Sequence, residues 1–362
     1  MRNFESIEIF SGAGGLMLGL HAANFRHRAL FEWNSSAVRT LRYNQERGHQ
    51  SLQNCSIFHA DVREIDFRQY RGVDLVAGGP PCQPFSMGGK AAGMNDARDM
   101  FPQAIRAVAE VKPKAFIFEN VRGLLRPAFS NYVEYIRLQM EFPDFPISAN
   151  VSWDRNLARL ERHKESLGKS KGGLRYRVHV HQANAAEFGV PQHRHRVFFI
   201  GFRSDVVTDW SFPKATHPNA ETWMTLAEAI RDLPDPSSSA AKRWANHVFQ
   251  PGAKSYPGHT GSPLDRPAKA LKAGAHGVPG GENMILYPDG SVRYLSVRES
   301  ARVQTFPDDY VFLGSWTEAM RQLGNAVPVR LAEIVGRSVA RALAGQSERK
   351  RQIAGDEAIQ SP

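Results

Sequence analysis

Short apolar runs alternate along this chain with glycine-rich or polar breaks. Residues 7–10 form an apolar run that stops at Ser11-Gly12-Ala13-Gly14-Gly15, after which Leu16, Leu18 and Leu20 open a segment able to wind into a helix. Residues 29–31 read as a second strand running into Glu32-Trp33, and residues 36–44 as its helix, with Val38 and Leu41 spaced for one face. The run at 73–77 ends at Gly78-Gly79-Pro80-Pro81, and the run at 115–118 ends at Glu119-Asn120. A helical stretch, Phe101–Val111, separates them. This pattern predicts a parallel α/β sheet, whose sites lie at the carboxyl ends of the strands.

The second half is less regular. Residues 140–173 are charged and interrupted, with a solvated helix expected over 154–164 and a Gly/Lys-rich connector over 168–173. Strands return at 174–180 and 196–202. From 204 to about 295 Pro, Gly, Ser and His accumulate, as at 234–240 and 250–263, which predicts a second, loop-rich lobe. An amphipathic helix is expected over 331–343, and the polar residues 346–362 read as a frayed tail.

Composition adds a partner class. The 362 residues leave room for a large core and an attached lobe, and 42% hydrophobic with 23% charged residues is ordinary for a folded soluble chain. A formal net charge of +10 makes a polyanion such as nucleic acid the leading partner, although charge alone does not decide it. No run reaches the ~18 apolar residues that would span a bilayer. The apolar stretch 16–20 is no signal peptide either, because Glu5 and Glu8 precede it and glycines interrupt it. Two cysteines, Cys55 and Cys82, are too few for a disulfide framework or a cysteine-rich zinc site. A cytoplasmic protein with no membrane partner is expected.

The candidate chemistry gathers at the strand ends. The loop at 10–15 has Met17 where a dinucleotide fingerprint needs a third glycine, so a pyrophosphate ligand is disfavoured. Glu32 follows Gly12 by 20 residues, where a carboxylate accepts from both hydroxyls of a ribose. Trp33 could then stack on a base, and Asp61 could accept from its amino group. Taken alone, such a loop serves equally as a plain turn. Cys82 is different from an ordinary buried cysteine, the reading given to Cys55, because Pro80, Pro81 and Pro84 stiffen the turn that carries it. Glu119 closes another strand, and in an apolar site its carboxyl would hold a proton near neutral pH. Arg194 and Arg196 alternate onto one side of an extended segment, placed either to anchor a phosphate or base carbonyl or to guard an edge strand.

Together these residues resemble the DNA cytosine-5 methyltransferases. The resemblance runs through Phe10–Gly15, Pro80-Pro81-Cys82-Gln83, Glu119-Asn120-Val121, Gln192-x-Arg194-x-Arg196, residues 298–307 and Gly324-Asn325-Ala326-Val327-Pro328, in the family's order and over nearly the whole chain. It implies a Rossmann-like class I S-adenosylmethionine-dependent methyltransferase domain (1–203), a smaller loop-rich target-recognition lobe (204–317), a C-terminal segment packing back on the first domain (318–346) and a tail at 347–362. It also implies contacts to S-adenosylmethionine from Phe10, Gly12, Gly14, Gly15, Glu32, Trp33, Asp61, Val62, Pro81 and Asn325. Contacts to double-stranded DNA are implied for Gln83, Ser86, Asn120 and Gln192.

The implied mechanism uses no metal. Cys82 adds to carbon 6 of a flipped cytosine, Glu119 protonates or hydrogen-bonds ring nitrogen 3, and Arg194 and Arg196 position the groups. The glycine-rich residues 87–93 would form a lid over the base. One departure stands out in the lobe: Ala270 occupies a place where relatives often have Thr, which removes one expected side-chain contact to the DNA backbone. A monomeric modification enzyme of a restriction-modification system is the expected setting. Two other readings stay open at this level, an RNA methyltransferase on the same framework and a non-catalytic DNA-binding relative. A zinc deaminase lacks its cysteine pair here, and a nicotinamide dehydrogenase lacks its glycine spacing.

Overall fold

The computed structural model describes residues 3–81, 99–148, 150–166, 173–206, 209–257, 259–273 and 283–359, with side chains up to residue 345. A seven-stranded sheet forms its centre, in the order β3-β2-β1-β4-β5-β7-β6. Strands β1 (Phe4–Ile9), β2 (Phe25–Glu32), β3 (Ser56–His59), β4 (Leu75–Gly78) and β5 (Ala115–Val121) are parallel, linked by α1 (Gly15–Ala22), α2 (Ser35–Glu46) and α3 (Phe101–Val111). The apolar runs of the sequence are these strands, which read as continuous because both faces are covered.

The expected parallel α/β sheet is present, and its last two strands depart from the parallel order of the first five. Strand β7 (His195–Arg203) runs antiparallel to both β5 and β6 (Tyr176–Asn184). Only residues 185–194 join β6 to β7. That span is too short for the helical crossover a parallel neighbour requires, so the pair closes as a hairpin.

Each face of the sheet has its own cover. Ile7, Ile9, Phe31, Val76, Phe116, Phe118 and Phe199 pack against α3, α4 (Ser130–Glu141) and α5 (Trp153–Ser166). Phe4, Leu75, Ala77, Ile117, Phe198 and Ile200 pack on the other side against α1 and the C-terminal helix α9 (Val329–Ile359). The amphipathic helix expected over 331–343 is thus present but longer. Its backbone continues through the residues read as a tail as far as Ile359, a stretch rich in Ala, Arg, Lys, Gln and Glu, all strong helix formers.

The less regular lobe is built from α6 (Leu226–Ile230), a three-stranded sheet of β8 (Ser262–Pro263), β9 (Met284–Leu286) and β10 (Val292–Tyr294), α7 (Val297–Val303) and α8 (Trp316–Asn325). Its apolar side chains Leu226, Leu271, Ile285, Leu295, Val303 and Phe306 share one cluster with Met17, Leu18 and Leu41 of α1 and α2. Among the described residues, no helix is long and apolar enough to cross a membrane.

Helices α1 and α9 approach closely because glycines line their contact. A Cβ on Gly19 would lie 2.4 Å from the Ala332 Cβ and 2.5 Å from the Val329 carbonyl oxygen. Gly19→Ala therefore forces two main-chain segments apart, and a loss of roughly 1–3 kcal/mol is expected from chemical denaturation, with no change in the residues that carry chemistry.

Candidate active site

One side of the candidate site is built by the turn between β1 and α1. Phe10, Gly12 and Gly14 have φ of 56°, 54° and 89°, and the left-handed sequence of turns brings backbone amides to the strand end. The Ser11 amide and hydroxyl both donate to the Phe31 carbonyl, at 3.2 Å each, which ties the loop to β2. Glu32 closes β2 and accepts from the Gly12 amide through Oε2 and the Asn34 amide through Oε1, both at 2.7 Å. Burial raises the Glu32 pKa, while the amides of Asn34, Gly12 and Trp33 oppose the rise. A carboxylate offers about four acceptor sites, so Glu32 keeps acceptor capacity beyond these amides. A Cβ placed on Gly12 would meet no heavy atom within 4 Å, so space stands open beside this carboxylate.

The neighbouring residues complete a cleft. Trp33 is 65% exposed, an unusual position for an indole, and the Arg63 guanidinium lies 5.9 Å from its ring centre. Asp61 follows β3 and is held in a fork by Arg63, at 2.8 and 2.5 Å, with Val62 buried beside it. Asn325 lies exposed at the end of α8. The next two residues press on the glycine loop, since a Cβ on Gly15 would lie 2.3 Å from the Val327 carbonyl oxygen and 3.2 Å from the Ala326 Cβ. Phe10 packs partly into the sheet core.

The acid side is built by β5 and β7. Glu119 is 6% exposed, and Arg196 Nε lies 2.5 Å from its Oε1. Register explains the meeting: Val121 pairs with Arg196 and Glu119 with Phe198, so Glu119 and Arg196 project from one face. Burial raises the Glu119 pKa, opposed by the charges of Arg196 and Arg194 and the Arg196 hydrogen bond. Gly79 at the end of β4 is so close that a Cβ there would lie 3.3 Å from Glu119 Oε2. The Met100 amide donates to the Pro81 carbonyl at 3.3 Å, which joins the start of α3 to the end of this turn. Cys82, Gln83, Ser86 and residues 87–93 lie outside the described residues.

Three residues have different partners from those expected. Gln192, expected at DNA, is fully buried; its amide donates to Gln304 Oε1 at 3.1 Å and accepts from the Leu271 amide at 3.0 Å. Asn120 is also buried and donates to the Pro80 carbonyl at 3.0 Å, bracing the turn that leads to Cys82. Arg194 reaches the Leu271 carbonyl at 2.9 Å and those of Gly324 and Ala326 at 2.5 and 2.9 Å. It shares the face of Arg196 as alternation implies, but its guanidinium bridges the first domain to the lobe and to the Asn325 segment. A polar residue in a motif does not declare whether its partner is a ligand or another part of the chain.

Two further groups were not singled out by motif. Cys55 is a buried thiol whose pKa burial pushes up to about 12, consistent with its reading as a small core residue. Glu8 is a buried carboxyl in β1 with its Oε2 unpaired, and the sequence signal for it is a charged residue between Ile7 and Ile9 of a core strand.

The geometry places an open, carboxylate-floored cleft next to a buried carboxyl and a proline-bounded turn, and comparison with known proteins decides the class. Residues 4–154 and 150–341 match the profile of C-5 cytosine-specific DNA methylases. The chain belongs to this family. It is a DNA cytosine-5 methyltransferase. It is 36% identical over 354 residues to the type II methyltransferase M.NgoMIV of Neisseria gonorrhoeae, covering 94% of this chain and 98% of that protein. It is 32% identical to M.AplI of Arthrospira platensis, covering 95% and 87%. In fold it is similar to a crystal structure from E. coli described as a prophage-encoded DNA modification methyltransferase (TM-score 0.65, 21% identity, 94% and 100% covered). It is also similar in fold to S. pombe Dnmt2 methyltransferase (TM-score 0.59, 18% identity, 95% and 99% covered).

Arg194→Ala removes a charged donor from the Leu271, Gly324 and Ala326 carbonyls, of which Ala326 keeps the Gln304 amide. A loss of about 3 kcal/mol or more is expected in urea unfolding, with donor affinity falling as well because the Asn325 segment is released.

Proposed function

We propose that this DNA cytosine-5 methyltransferase uses S-adenosylmethionine as donor and acts on a cytosine flipped out of duplex DNA, with Cys82 as nucleophile. The observation that carries the reading is the convergence at the carboxyl end of β4 and β5. There Gly79 lies against Glu119 and Asn120 holds the Pro80 carbonyl, which supports a role beside the acid for the adjoining Pro80-Pro81-Cys82 sequence. Glu32, the Gly12 amide, Trp33, Val62 and Asn325 suit a nucleoside, with Asp61 keeping spare acceptor capacity next to Arg63. When bound, S-adenosylmethionine supplies an electrophilic methyl group on its sulfonium.

The chain's own residues make carbon 5 of the base reactive. The Cys82 thiolate forms a bond to carbon 6, and the electron pair displaced from the ring is stabilised as Glu119 gives a proton or a hydrogen bond at nitrogen 3. Carbon 5 then has enamine character and accepts the methyl group. Loss of its proton to water and expulsion of the thiolate restore the ring. Arg196 orients the Glu119 carboxyl, and Arg194 acts at one remove by fixing the segments that enclose the site. The base must leave the helix stack for attack above its plane.

Residues 1–203 serve as the catalytic and cofactor-binding domain, 204–317 as the target-recognition lobe and 318–346 as the returning segment. Gln83 and Ser86 are assigned to DNA contact. The +10 charge supports a polyanionic substrate, and the type II methyltransferase relatives support the modification enzyme of a restriction-modification system; a monomer acting in the cytoplasm completes the proposal.

Bisulfite sequencing of DNA from cells expressing the protein is expected to show methylcytosine at one short recurrent sequence, and Cys82→Ser to abolish it; normal turnover by that variant would exclude the mechanism. Glu119→Gln is expected to lower kcat by about 10²- to 10⁴-fold, with donor affinity measured by calorimetry unchanged within error.

A further inference from the structure

Beyond Glu119 the chain turns at once. The Val121 amide donates to Asn120 Oδ1 at 2.8 Å, and the same Asn120 side chain donates to the Pro80 carbonyl at 3.0 Å. Residues Arg122–Leu125 then form a turn of 3-10 helix at the carboxyl end of β5, with Leu124 buried in the core and Arg122 and Arg126 exposed. Register fixes where this turn stands. Val121 pairs with Arg196, whose guanidinium holds Glu119, so the next step along β5 brings Arg122 level with the first residue of β7, against which the turn packs. Both arginines therefore ride on a short platform fastened to the acid's own strand and, through Asn120, to the turn that leads to Cys82.

The charge on this platform is uncompensated. No Asp or Glu occurs from residue 120 to residue 133, and none from 188 to 204 on the facing hairpin; Glu187, just before that stretch, is partly buried. Among the described residues, neither Arg122 nor Arg126 has an ion pair or a side-chain hydrogen bond. Other exposed arginines at strand ends of this fold carry an acid close by in sequence, as Arg63 does in Asp61 and Arg68 in Asp66. The two neighbouring guanidiniums are already engaged inside the protein, Arg196 on Glu119 and Arg194 on the Leu271, Gly324 and Ala326 carbonyls. Arg122 and Arg126 thus keep their full set of planar N–H donors turned to solvent, an arrangement that matches the oxygens of a phosphate.

We propose that Arg122 and Arg126 hold backbone phosphates of the substrate strand beside the extruded cytosine. This rests on reading the substrate as duplex DNA and Glu119 as the group that meets the base. A base turned out of the stack stays joined to its two flanking phosphates, so the strand must run past the entrance to the acid's pocket, and the turn that follows Glu119 stands there. Contacts of this kind set the position of the strand and carry no base information. The two arginines therefore contribute to affinity for any duplex, while choice among sequences stays with the lobe.

The test measures binding of the full-length enzyme by fluorescence anisotropy to short labelled duplexes, one carrying the sequence that bisulfite sequencing identifies and one scrambled, between about 50 and 200 mM salt. Arg122→Gln and Arg126→Gln should each make the slope of log affinity against log salt shallower by about one, and the double variant by about two. Affinity for both duplexes should fall by the same factor, with KM for DNA raised and kcat at saturating DNA and melting temperature unchanged. Arg122→Lys should keep the parent's slope, and Arg162→Gln, which removes the same charge from exposed α5, should leave it unaltered. A neutral methylphosphonate placed at successive linkages around the target cytosine should weaken the parent at a linkage to which the double variant is indifferent. An unchanged slope in both single variants, an equal effect from Arg162→Gln, loss confined to the specific duplex or equal sensitivity of parent and double variant at every linkage would overturn the proposal. A parent enzyme that methylates tRNA and no duplex DNA would overturn the reading of the substrate, and this proposal with it.

Discussion

The site depends on one buried guanidinium. Arg194 stands just before β7, and its two terminal nitrogens reach carbonyls of the lobe at Leu271 and of the returning segment at Gly324 and Ala326. These stretches are far apart in sequence, and the one guanidinium ties both to the start of β7. Gln304 and Gln192 extend the same arrangement, with the Gln304 amide donating to the Leu323 and Ala326 carbonyls. Carbonyl oxygens that would otherwise be buried without donors make this arrangement hard to break in parts, because every release leaves an unsatisfied group on the other side. The position of Ala326 and Val327 against the glycine loop follows from it.

Within that frame, three carboxyls on one sheet face do different work because their surroundings differ. Glu32 is supplied with amides and stays suited to a polar ligand. Glu119 is buried against arginines, and Glu8 is buried with its Oε2 unpartnered. The chemistry of the family needs a carboxyl that can carry a proton and another that accepts from a ligand, and the fold separates those demands by strand position and depth, not by residue type.

Much of this was legible in the amino-acid pattern. The central strands announce themselves as apolar runs because both faces are covered, and the glycine and proline breaks mark where they stop. Helix α4 was not legible: its buried face includes Tyr132, Tyr135, Gln139 and Glu141 with Ile136 and Leu138, a mixture that does not read as an apolar stripe. The direction of β7 was missed because direction is set by the length of the connector and not by the strand's own residues. Gln192, Asn120 and Arg194 were recognisable as important, yet their partners are other groups of the chain itself, brought near only by the tertiary fold. Glu8 was visible as a charge in a core strand.

The packing of α1 against α9 has a consequence for biogenesis. The glycine-lined groove of α1 receives Val329, Ala332 and Gly336, residues translated more than 300 positions after it. Until they emerge from the ribosome, the nascent first half displays an apolar surface with no cover of its own, and the donor loop lacks the Ala326–Val327 buttress. Such a chain gains its binding competence only near the end of synthesis, and its half-made form is the species most exposed to chaperones and to aggregation.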